Sequence, residues 1–494
     1  MSDETKTGNE KETKEAKDQK LKMLGLEPIE TQHQLQLRDR TLRYTARAGT
    51  IPLKDDKDET EADIFFVAYE LDGVEDRAQR PLTFAFNGGP GSSSIWLHMG
   101  ALGPLRVRME PEGWMPAPPY RAIPNEQTWL DQTDLVFVDP VGTGFSRAAK
   151  EDLHKRFWSV KGDIESVGEF IRLYLTRYRR WSSPLFLAGE SYGTTRAAGL
   201  AGDLVDKGIA FNGIVLISTV LDMKAIRFLL GNDLPFQLFV PSYAATAWYH
   251  DRLDEALQQR ALADLMAEVE AWSESELTVA LMKGDRIHTD ERVAIAEKLA
   301  RYTGLDPDYV VGTNLRINIH RFCKELFRGD KRSVGRLDSR FKGVEALAVT
   351  ERPEFDPSML AITPPYTATF NDYVRSSLGI ETDLTYETLS MKVNQDWEWE
   401  KGTPTNTGEA LRAAMAKNPY MKVFVGQGYY DLATPHFATQ YMISHMNVDP
   451  ALRHNVQMAY YEAGHMFYLD LESLAAFRSD VGEFIKSATA QQGS

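Results

Sequence analysis

The sequence predicts an α/β protein with a mainly parallel central sheet. Two observations carry this prediction. Short apolar runs that end at Gly, Pro or Asp recur in the first half of the chain and again near its end, as buried parallel strands do. Segments with helical periodicity alternate with these runs, so helices are expected on both faces of the sheet.

The first predicted strands form an antiparallel hairpin. The β-rich runs are TLRYTARAGTIPL (41–53) and ADIFFVAYEL (62–71), and the charged turn KDDKDETE separates them. Residues 1–30 are predicted to be a disordered tail, because MSDETKTGNEKETKEAKDQK is strongly charged and contains no aromatic side chain to anchor it.

The parallel part of the sheet is predicted from four buried runs and the helices between them. A helix is expected between residues 161 and 180, where apolar side chains recur on one face. A second, rich in small residues, has the sequence TTRAAGLAGDLVDKG and is expected to stop at Gly208. The runs are LTFAFN (82–87), DLVFVD (134–139), LFLA (185–188) and GIVLIS (213–218).

Residues 223–410 are predicted to be a helical insertion that caps the sheet. Strand signals fade there, and amphipathic runs such as DEALQQRALADLMAEVEAW, ERVAIAEKLARYTG and INIHRFCKELFRG take over. The sheet resumes with KVFVGQG (422–428) and VQMAYYEAG (456–464). The catalytic core is therefore expected to comprise residues 31–222 and 411–494.

Composition restricts the partners of the chain. A formal net charge of -15 and a pI near 5.3 argue against binding to nucleic acid or to an anionic membrane surface. The single cysteine, Cys323, excludes a disulfide within the chain and is expected to lie in the core. As written, the sequence has neither an apolar run long enough to span a membrane nor a signal peptide. A cytoplasmic location is expected, or a periplasmic or secreted one if a signal peptide was removed; a homodimer is left open.

The segment Gly189-Glu190-Ser191-Tyr192-Gly193 predicts a nucleophilic serine. It lies between a predicted strand and a predicted helix, the setting in which glycines allow a turn sharp enough to present a serine hydroxyl. A serine hydroxyl is a weak nucleophile at neutral pH, so it requires a base that an acid orients.

His465 and Asp431 are the candidates for this base and this acid. Each follows a late predicted strand, His465 in AYYEAGHMFY and Asp431 in GYYDLATP, and open α/β sheets collect functional groups at strand C-termini. The alternatives are that Asp431 caps its own turn and that His465 is only a satisfied polar group. The order serine, aspartate, histidine favours the catalytic interpretation.

The tetrahedral intermediate of acyl transfer requires backbone donors for its oxyanion. The amide of Tyr192, directly after the serine, is one candidate. The segment Asn87-Gly88-Gly89-Pro90-Gly91 follows an earlier strand, and its glycines permit a close approach of the backbone, so it is expected to provide the second.

Four motifs resemble those of the serine carboxypeptidases, which have the α/β-hydrolase fold. In chain order they are FNGGPGSSS, FVDPVGTGFS, GESYG and YEAGHM. The resemblance implies catalytic Ser191, Asp431 and His465, and an oxyanion hole made by the amides of Gly89 and Tyr192. It also implies that the C-terminal carboxylate of a peptide binds to Asn87, Gly88 and Glu190, and that no cofactor is needed.

Several positions depart from the family pattern. Ala85 stands where the family has a Trp, and Ala101 where a Glu would pair with Glu190, so half of the carboxylate-binding group is predicted to be missing. Arg196 replaces an aromatic residue; it is expected to form a structural ion pair or, alternatively, to bind a substrate carboxylate. His98, near the glycine loop, is expected to serve packing.

Three functions follow from these residues. The first is a serine-type carboxypeptidase that releases C-terminal amino acids through an acyl-enzyme. It is expected to favour acidic pH, because burial beside the nucleophile should raise the pKa of Glu190. The second is an esterase or acyltransferase with the same triad, suggested by Ala85 and Ala101. The third is a non-catalytic binding protein with the same fold.

Overall fold

A computed structural model of the protein describes residues 22, 24–400, 402 and 404–490. Most of the predicted N-terminal tail therefore lies outside the described residues. The last part of that segment is ordered, since Leu24 and Leu26 pack against the core and the amide of Gly25 donates to Asp63 Oδ2 at 3.0 Å. The first strand begins at Ile29.

The strands follow the predicted apolar runs closely, with additional short strands between them. In chain order they are β1 Ile29–Gln36, β2 Thr41–Lys54, β3 Thr60–Leu71, β4 Leu82–Phe86, β5 Leu105–Val107, β6 Ala122–Pro124, β7 Asp134–Val138, β8 Arg147–Ala148, β9 Leu185–Glu190, β10 Gly213–Ile217, β11 Arg332–Val334, β12 Lys342–Val344, β13 Lys422–Gly428 and β14 Val456–Tyr461.

One large sheet contains most of these strands, in the order β1-β2-β3-β7-β4-β9-β10-β13-β14, with β8 beside β3. The strands from β7 to β14 in this order run parallel, whereas β1, β2 and β3 pair antiparallel with their neighbours. The predicted hairpin and the mainly parallel sheet are thus confirmed. Strand β1 was not predicted, and it forms the edge of the sheet next to β2.

Helices alternate with the parallel strands and fill the predicted insertion. Those before the insertion are α1 Ile95–Leu97, α2 His154–Phe157, α3 Val160–Arg177 and α4 Tyr192–Asp206. Those within it are α5 Leu234–Leu238, α6 Val240–Tyr249, α7 Glu255–Gln258, α8 Leu262–Trp272, α9 Thr278–Lys283, α10 Thr289–Thr303, α11 Pro307–Gly312, α12 Ile319–Glu325, α13 Pro357–Ser376 and α14 Met391–Asp396. The last are α15 Gly408–Lys417, α16 His436–Ser444 and α17 Leu471–Thr489.

Apolar packing occurs on both faces of the sheet and, separately, in the cap. One face is covered by α3, α4 and α15, and the other by α13 and α17. The cap helices α6, α8, α10 and α12 share their own apolar core, which includes the buried Cys323. Although α13 lies between residues 223 and 410, it packs on the sheet. The division of the chain at residues 222 and 411 stays a proposal.

In the described part of the chain, no helix combines the length and the apolar character that crossing a bilayer requires.

Candidate active site

Ser191 lies at the sharp turn between β9 and α4. Its backbone has φ 59° and ψ -129°, a conformation that a residue with a side chain adopts only where the surroundings enforce it. Two hydrogen bonds fix the turn: the Ser191 amide donates to Ile217 O at 2.9 Å, and the Thr194 amide donates to Ser191 O at 2.9 Å. The serine is thereby held at the N-terminus of α4, where the helix dipole favours negative charge.

The glycine loop after β4 lies directly against this turn. A Cβ atom on Gly88 would come within 2.4 Å of the Tyr192 amide nitrogen, and one on Gly193 would come within 2.8 Å of Phe86 O. Only glycine permits this approach of backbone to backbone. As a result, Gly89 in the loop and Ser191 in the turn line the same cavity.

His465 and Asp431 meet beyond the C-terminal ends of β13 and β14. His465 Nδ1 and Asp431 Oδ2 are 2.7 Å apart, and both side chains are buried. Asp431 Oδ1 accepts hydrogen bonds from the amides of Ala433 at 2.7 Å and Thr434 at 3.0 Å. The Thr434 hydroxyl donates to Asp431 Oδ2 at 2.8 Å. These bonds fix the orientation of the carboxylate, which in turn orients the imidazole.

The charges of this pair shift both pKa values. Burial alone lowers the pKa of His465, but the Asp431 carboxylate outweighs it and raises the pKa above its usual value. Burial alone raises the pKa of Asp431, but His465 and the Thr434 hydrogen bonds lower it overall. Asp431 is therefore the ionised partner, as a group that stabilises a transient imidazolium must be.

A segment of the insertion, residues 336–340, holds both loops in place. The amide of Leu432 donates to Arg336 O at 3.0 Å, and the amide of His465 donates to Leu337 O at 2.6 Å. Asp338 Oδ2 accepts from the amide of Gly464 at 3.2 Å. The turns that carry Asp431 and His465 are thus joined through one strip of chain, which we call the cap segment 336–340.

Glu190 is buried beside Ser191, with a side-chain partner that was not predicted. The Tyr468 hydroxyl donates to Glu190 Oε2 at 2.5 Å. Asn87 Nδ2 is also close enough to lower the pKa of Glu190, yet it makes no hydrogen bond of good geometry to the described residues. Burial raises the pKa of Glu190 to about 7, even though the charge of His465 and the hydrogen bond from Tyr468 oppose the rise.

Glu190 thus has a side-chain partner other than the one that the family pattern places at position 101. Ala101 is buried and offers no polar group, but Tyr468 hydrogen-bonds to the carboxyl instead. The only available signal was local: Tyr468 follows three residues after His465 in the motif YEAGHMFY. Because the resemblance indicated a partner near residue 101, it gave no reason to search for one near residue 468.

The remaining predicted residues have structural partners. Arg196 is buried, donates from Nε to Asp163 Oδ2 at 2.8 Å and from Nη1 to Asn87 O at 2.7 Å, so it supports the glycine loop from behind. It forms the predicted structural ion pair and does not line the cavity that contains Ser191. His98 lies 2.6 Å from the Tyr69 hydroxyl, and burial lowers its pKa to about 3, in agreement with a packing role.

A cavity of about 390 Å³ joins these groups. Its polar floor contains Asn87, Glu190, Ser191 and His465, and most of its wall is apolar. Ser191, His465 and the carboxyl of Glu190 therefore open into one space.

A sequence model of the serine carboxypeptidase family matches residues 40–467. The chain belongs to the serine carboxypeptidase family. Within that family, serine carboxypeptidase-like 5 of Arabidopsis thaliana is 31% identical over 155 residues, which cover 31% of this chain and 33% of that protein. The pheromone-processing carboxypeptidase KEX1 of Saccharomyces cerevisiae is 31% identical over 159 residues, covering 29% of this chain and 20% of that protein. The matched part thus spans at most about a third of these relatives.

The fold of this serine carboxypeptidase family member also resembles a solved structure. It superposes on the crystal structure of KEX1ΔP, a prohormone-processing carboxypeptidase from Saccharomyces cerevisiae, with a TM-score of 0.55 and 18% identity. The alignment covers 89% of this chain and 91% of the yeast chain. Together with the parallel sheet and its flanking helices, this likeness establishes the α/β-hydrolase fold that the motifs imply.

Proposed function

We propose that this chain is a serine-type carboxypeptidase that releases C-terminal amino acids from peptides through an acyl-enzyme intermediate. Ser191 acts as nucleophile, His465 as general base and Asp431 as the residue that orients the base. The observation that supports an exopeptidase is the buried carboxyl of Glu190, which faces the same cavity as Ser191 and Asn87, whose Nδ2 makes no hydrogen bond of good geometry to the described residues.

In the proposed first step, Ser191 Oγ attacks the scissile carbonyl carbon while His465 Nε2 takes the hydroxyl proton. The carbonyl oxygen becomes an oxyanion, which the amides of Gly89 and Tyr192 stabilise. His465 then gives its proton to the leaving nitrogen, the C–N bond breaks, and the C-terminal amino acid departs. A water molecule then attacks the acyl carbon while His465 takes its proton; the C–Oγ bond breaks, His465 returns the proton to Ser191 Oγ, and the shortened peptide leaves with a new carboxylate.

The free carboxylate of the substrate is proposed to bind Asn87, Glu190 and the glycine loop at Gly88. Asn87 Nδ2 is a donor, and protonated Glu190 provides an O–H donor. An ionised Glu190 would instead repel a carboxylate, so binding requires the protonated form. The Tyr468 hydroxyl fixes the position of the Glu190 carboxyl, which makes Tyr468 a positioning residue in this proposal.

Blocking the substrate carboxylate provides the direct test. Because amidation removes the charge that these donors bind, we expect kcat/KM to fall about a hundredfold, as for the loss of two hydrogen bonds to a charged group. N-blocked peptides with free or amidated C-termini should be compared at pH 6. Equal rates for the free and the amidated peptides would contradict the exopeptidase function. Rapid hydrolysis of short acyl esters without amino-acid release would favour the esterase or acyltransferase.

The pH profile tests the role of Glu190. Since its pKa is raised to about 7, kcat/KM for free-acid peptides should decline above pH 7 as the carboxyl ionises. Glu190→Gln keeps a neutral donor at every pH, so the decline should disappear in this variant, whereas the acidic limb set by His465 should remain. Steady-state assays between pH 5 and 9 would measure the acidic and the alkaline limb of the kcat/KM profile. A decline that persists in Glu190→Gln would assign it to another group.

Removal of the Tyr468 hydroxyl tests the positioning role. In Tyr468→Phe the ionised form of Glu190 loses a donor, so its pKa should rise and the alkaline limb should move to higher pH. We also expect kcat/KM for free-acid peptides to fall about tenfold. Tyr461→Phe is the matched control, because Tyr461 donates to Asp480 at 2.7 Å, outside the cavity. An unmoved alkaline limb in Tyr468→Phe would refute the positioning role.

A further inference from the structure

Arg336 places a guanidinium in the catalytic cavity that the proposed reaction does not use. It lines this space together with Glu190, Ser191 and His465, and its side chain is 42% exposed. Its charge also opposes protonation of His465, which places it within electrostatic range of the catalytic base. The group is therefore in a position to interact with a substrate that is bound at Ser191.

The backbone of Arg336 is fixed relative to the catalytic residues. Its carbonyl accepts from the amide of Leu432, next to Asp431, and its amide donates to Asp356 Oδ1 at 3.2 Å. The following residue accepts a hydrogen bond from the amide of His465. Because hydrogen bonds hold the backbone of Arg336 and of the next residue, the guanidinium extends from a fixed point at the edge of the cavity.

Within the described residues, the Arg336 guanidinium makes one long ion pair and no hydrogen bond. Among the described residues, its only carboxylate neighbour is Asp356 Oδ2, at 3.9 Å from Nε, beyond hydrogen-bonding distance. The other oxygen of Asp356 caps α13, accepting from the amide and the hydroxyl of Ser358 at 3.0 and 2.5 Å. A cation whose N–H groups make no hydrogen bond to the described residues thus faces a space in which a ligand can supply the acceptors.

The walls around this cation favour a charged ligand group over a neutral one. Leu337, Met359, Ile362, Met391 and Met466 contribute apolar side chains to the cavity, and the Asp356 carboxylate, which also lines it, is the acidic group beside the guanidinium. In such surroundings, a planar guanidinium binds a carboxylate through two parallel hydrogen bonds. The chain as a whole carries a net charge of -15, so Arg336 places a positive charge in the cavity of a mainly acidic protein.

We propose that Arg336 forms an anion-binding subsite that selects peptides with a Glu or Asp side chain at one of the two residues flanking the scissile bond. The inference rests on the proposed carboxypeptidase function, because it assigns the substrate class of the same cavity. The subsite is separate from the Asn87 and Glu190 group, which binds the main-chain carboxylate.

The test uses paired peptides that differ only in one charge. N-blocked free-acid tripeptides with Glu or Gln at the last or the penultimate position are compared at pH 6, where the Glu side chain is ionised. At one of these positions, wild type should prefer Glu by about tenfold in kcat/KM, which corresponds to one charge-assisted hydrogen-bonded pair in a half-exposed site. The ratio should approach one in Arg336→Gln, and Arg336→Glu should prefer Lys to Gln.

Arg352→Gln is the matched control. Arg352 is exposed and does not line the cavity, but removing it changes the net charge equally. This variant should retain the preference for Glu. Equal rates for Glu and Gln peptides in wild type at both positions, or a preference that survives in Arg336→Gln, would overturn the proposal.

A binding measurement separates this proposal from the proposed reaction. Calorimetry with Ser191→Ala and the same peptides gives the ratio of Glu to Gln affinities without turnover. If wild type cleaves no peptide but Ser191→Ala still binds the Glu peptide more tightly, and Arg336→Gln abolishes the difference, the subsite stands and the carboxypeptidase activity fails. If cleavage occurs and neither ratio depends on Arg336, the activity stands and the subsite fails.

Discussion

Replacement of Ser191 by alanine is expected to lower kcat by about 10⁴- to 10⁶-fold, because the variant loses the covalent step and keeps only the contribution of the oxyanion hole and of binding. Labelling by a fluorophosphonate probe should disappear completely. Mass spectrometry of the labelled wild-type protein should place the probe on the peptide that contains Ser191.

The control for this variant is a serine outside the cavity. Ser166 is buried on α3, and its hydroxyl donates to Asp163 O at 3.1 Å. Ser166→Ala should retain both labelling and activity. A folded wild-type protein that reacts with no fluorophosphonate would support the non-catalytic binding protein and would contradict both enzymatic proposals.

Asp431→Asn should lower kcat by about 10⁴-fold, through the tautomer of His465 rather than through its position. In the native site, Asp431 Oδ1 accepts two backbone amides, and Oδ2 faces His465 Nδ1. The amide oxygen of Asn should occupy the position of Asp431 Oδ1, because only an oxygen can accept from the two backbone amides there. Its NH₂ group would then donate to His465 Nδ1, so the imidazole proton would be on Nε2. A protonated Nε2 cannot accept the proton of the Ser191 hydroxyl.

Two measurements check this prediction. The rate of fluorophosphonate labelling of Ser191 should fall in parallel with kcat, while thermal unfolding should show that the variant is folded. Asp480→Asn is the control, since Asp480 accepts from Tyr461 at a distance from the cavity. A loss of less than about tenfold would show that Asp431 does not set the tautomer, since the wrong tautomer alone costs about 10⁴-fold elsewhere.

The sheet was predictable because its central strands are buried on both faces. Runs such as LTFAFN and DLVFVD are continuously apolar and end at residues that break strands, so they are visible without knowledge of their partners. Strand β1 has no such signal. Its sequence, IETQHQLQ, is mostly polar, and every second residue is exposed. It becomes a strand by pairing with β2, which a local pattern does not show.

The cap helices show the same limit. The run DEALQQRALADLMAEVEAW predicts one helix, but the structure has two, Glu255–Gln258 and Leu262–Trp272. Between them, Ala261 has an extended backbone with ψ 140°, and Arg260 O accepts from Trp248 Nε1 at 3.2 Å. A tertiary hydrogen bond therefore takes a carbonyl that a continuous helix would have used.

The sequence predicted those residues of the site that lie in a local motif. Glu190, Ser191 and His465 belong to strand-end turns that can be recognised individually. The partner of Glu190 was missed because Tyr468 is 278 residues away in sequence. No local sequence pattern shows whether the partner of Glu190 lies at position 101 or at position 468, because both are distant from it in the chain. The catalytic roles of these residues stay predictions, to be tested by the variants above.

The attachment of the cap segment 336–340 to both catalytic turns limits how this protein can be redesigned. Transplanting the whole insertion from a relative would replace the acceptor of the His465 amide along with the substrate pocket, and turnover should suffer even if the new pocket fits. A graft that ends before Gly335 and leaves the next residues untouched would exchange the cap helices α6 to α12 alone. We therefore expect turnover to tolerate exchanges in these helices better than changes in the backbone of residues 336–340.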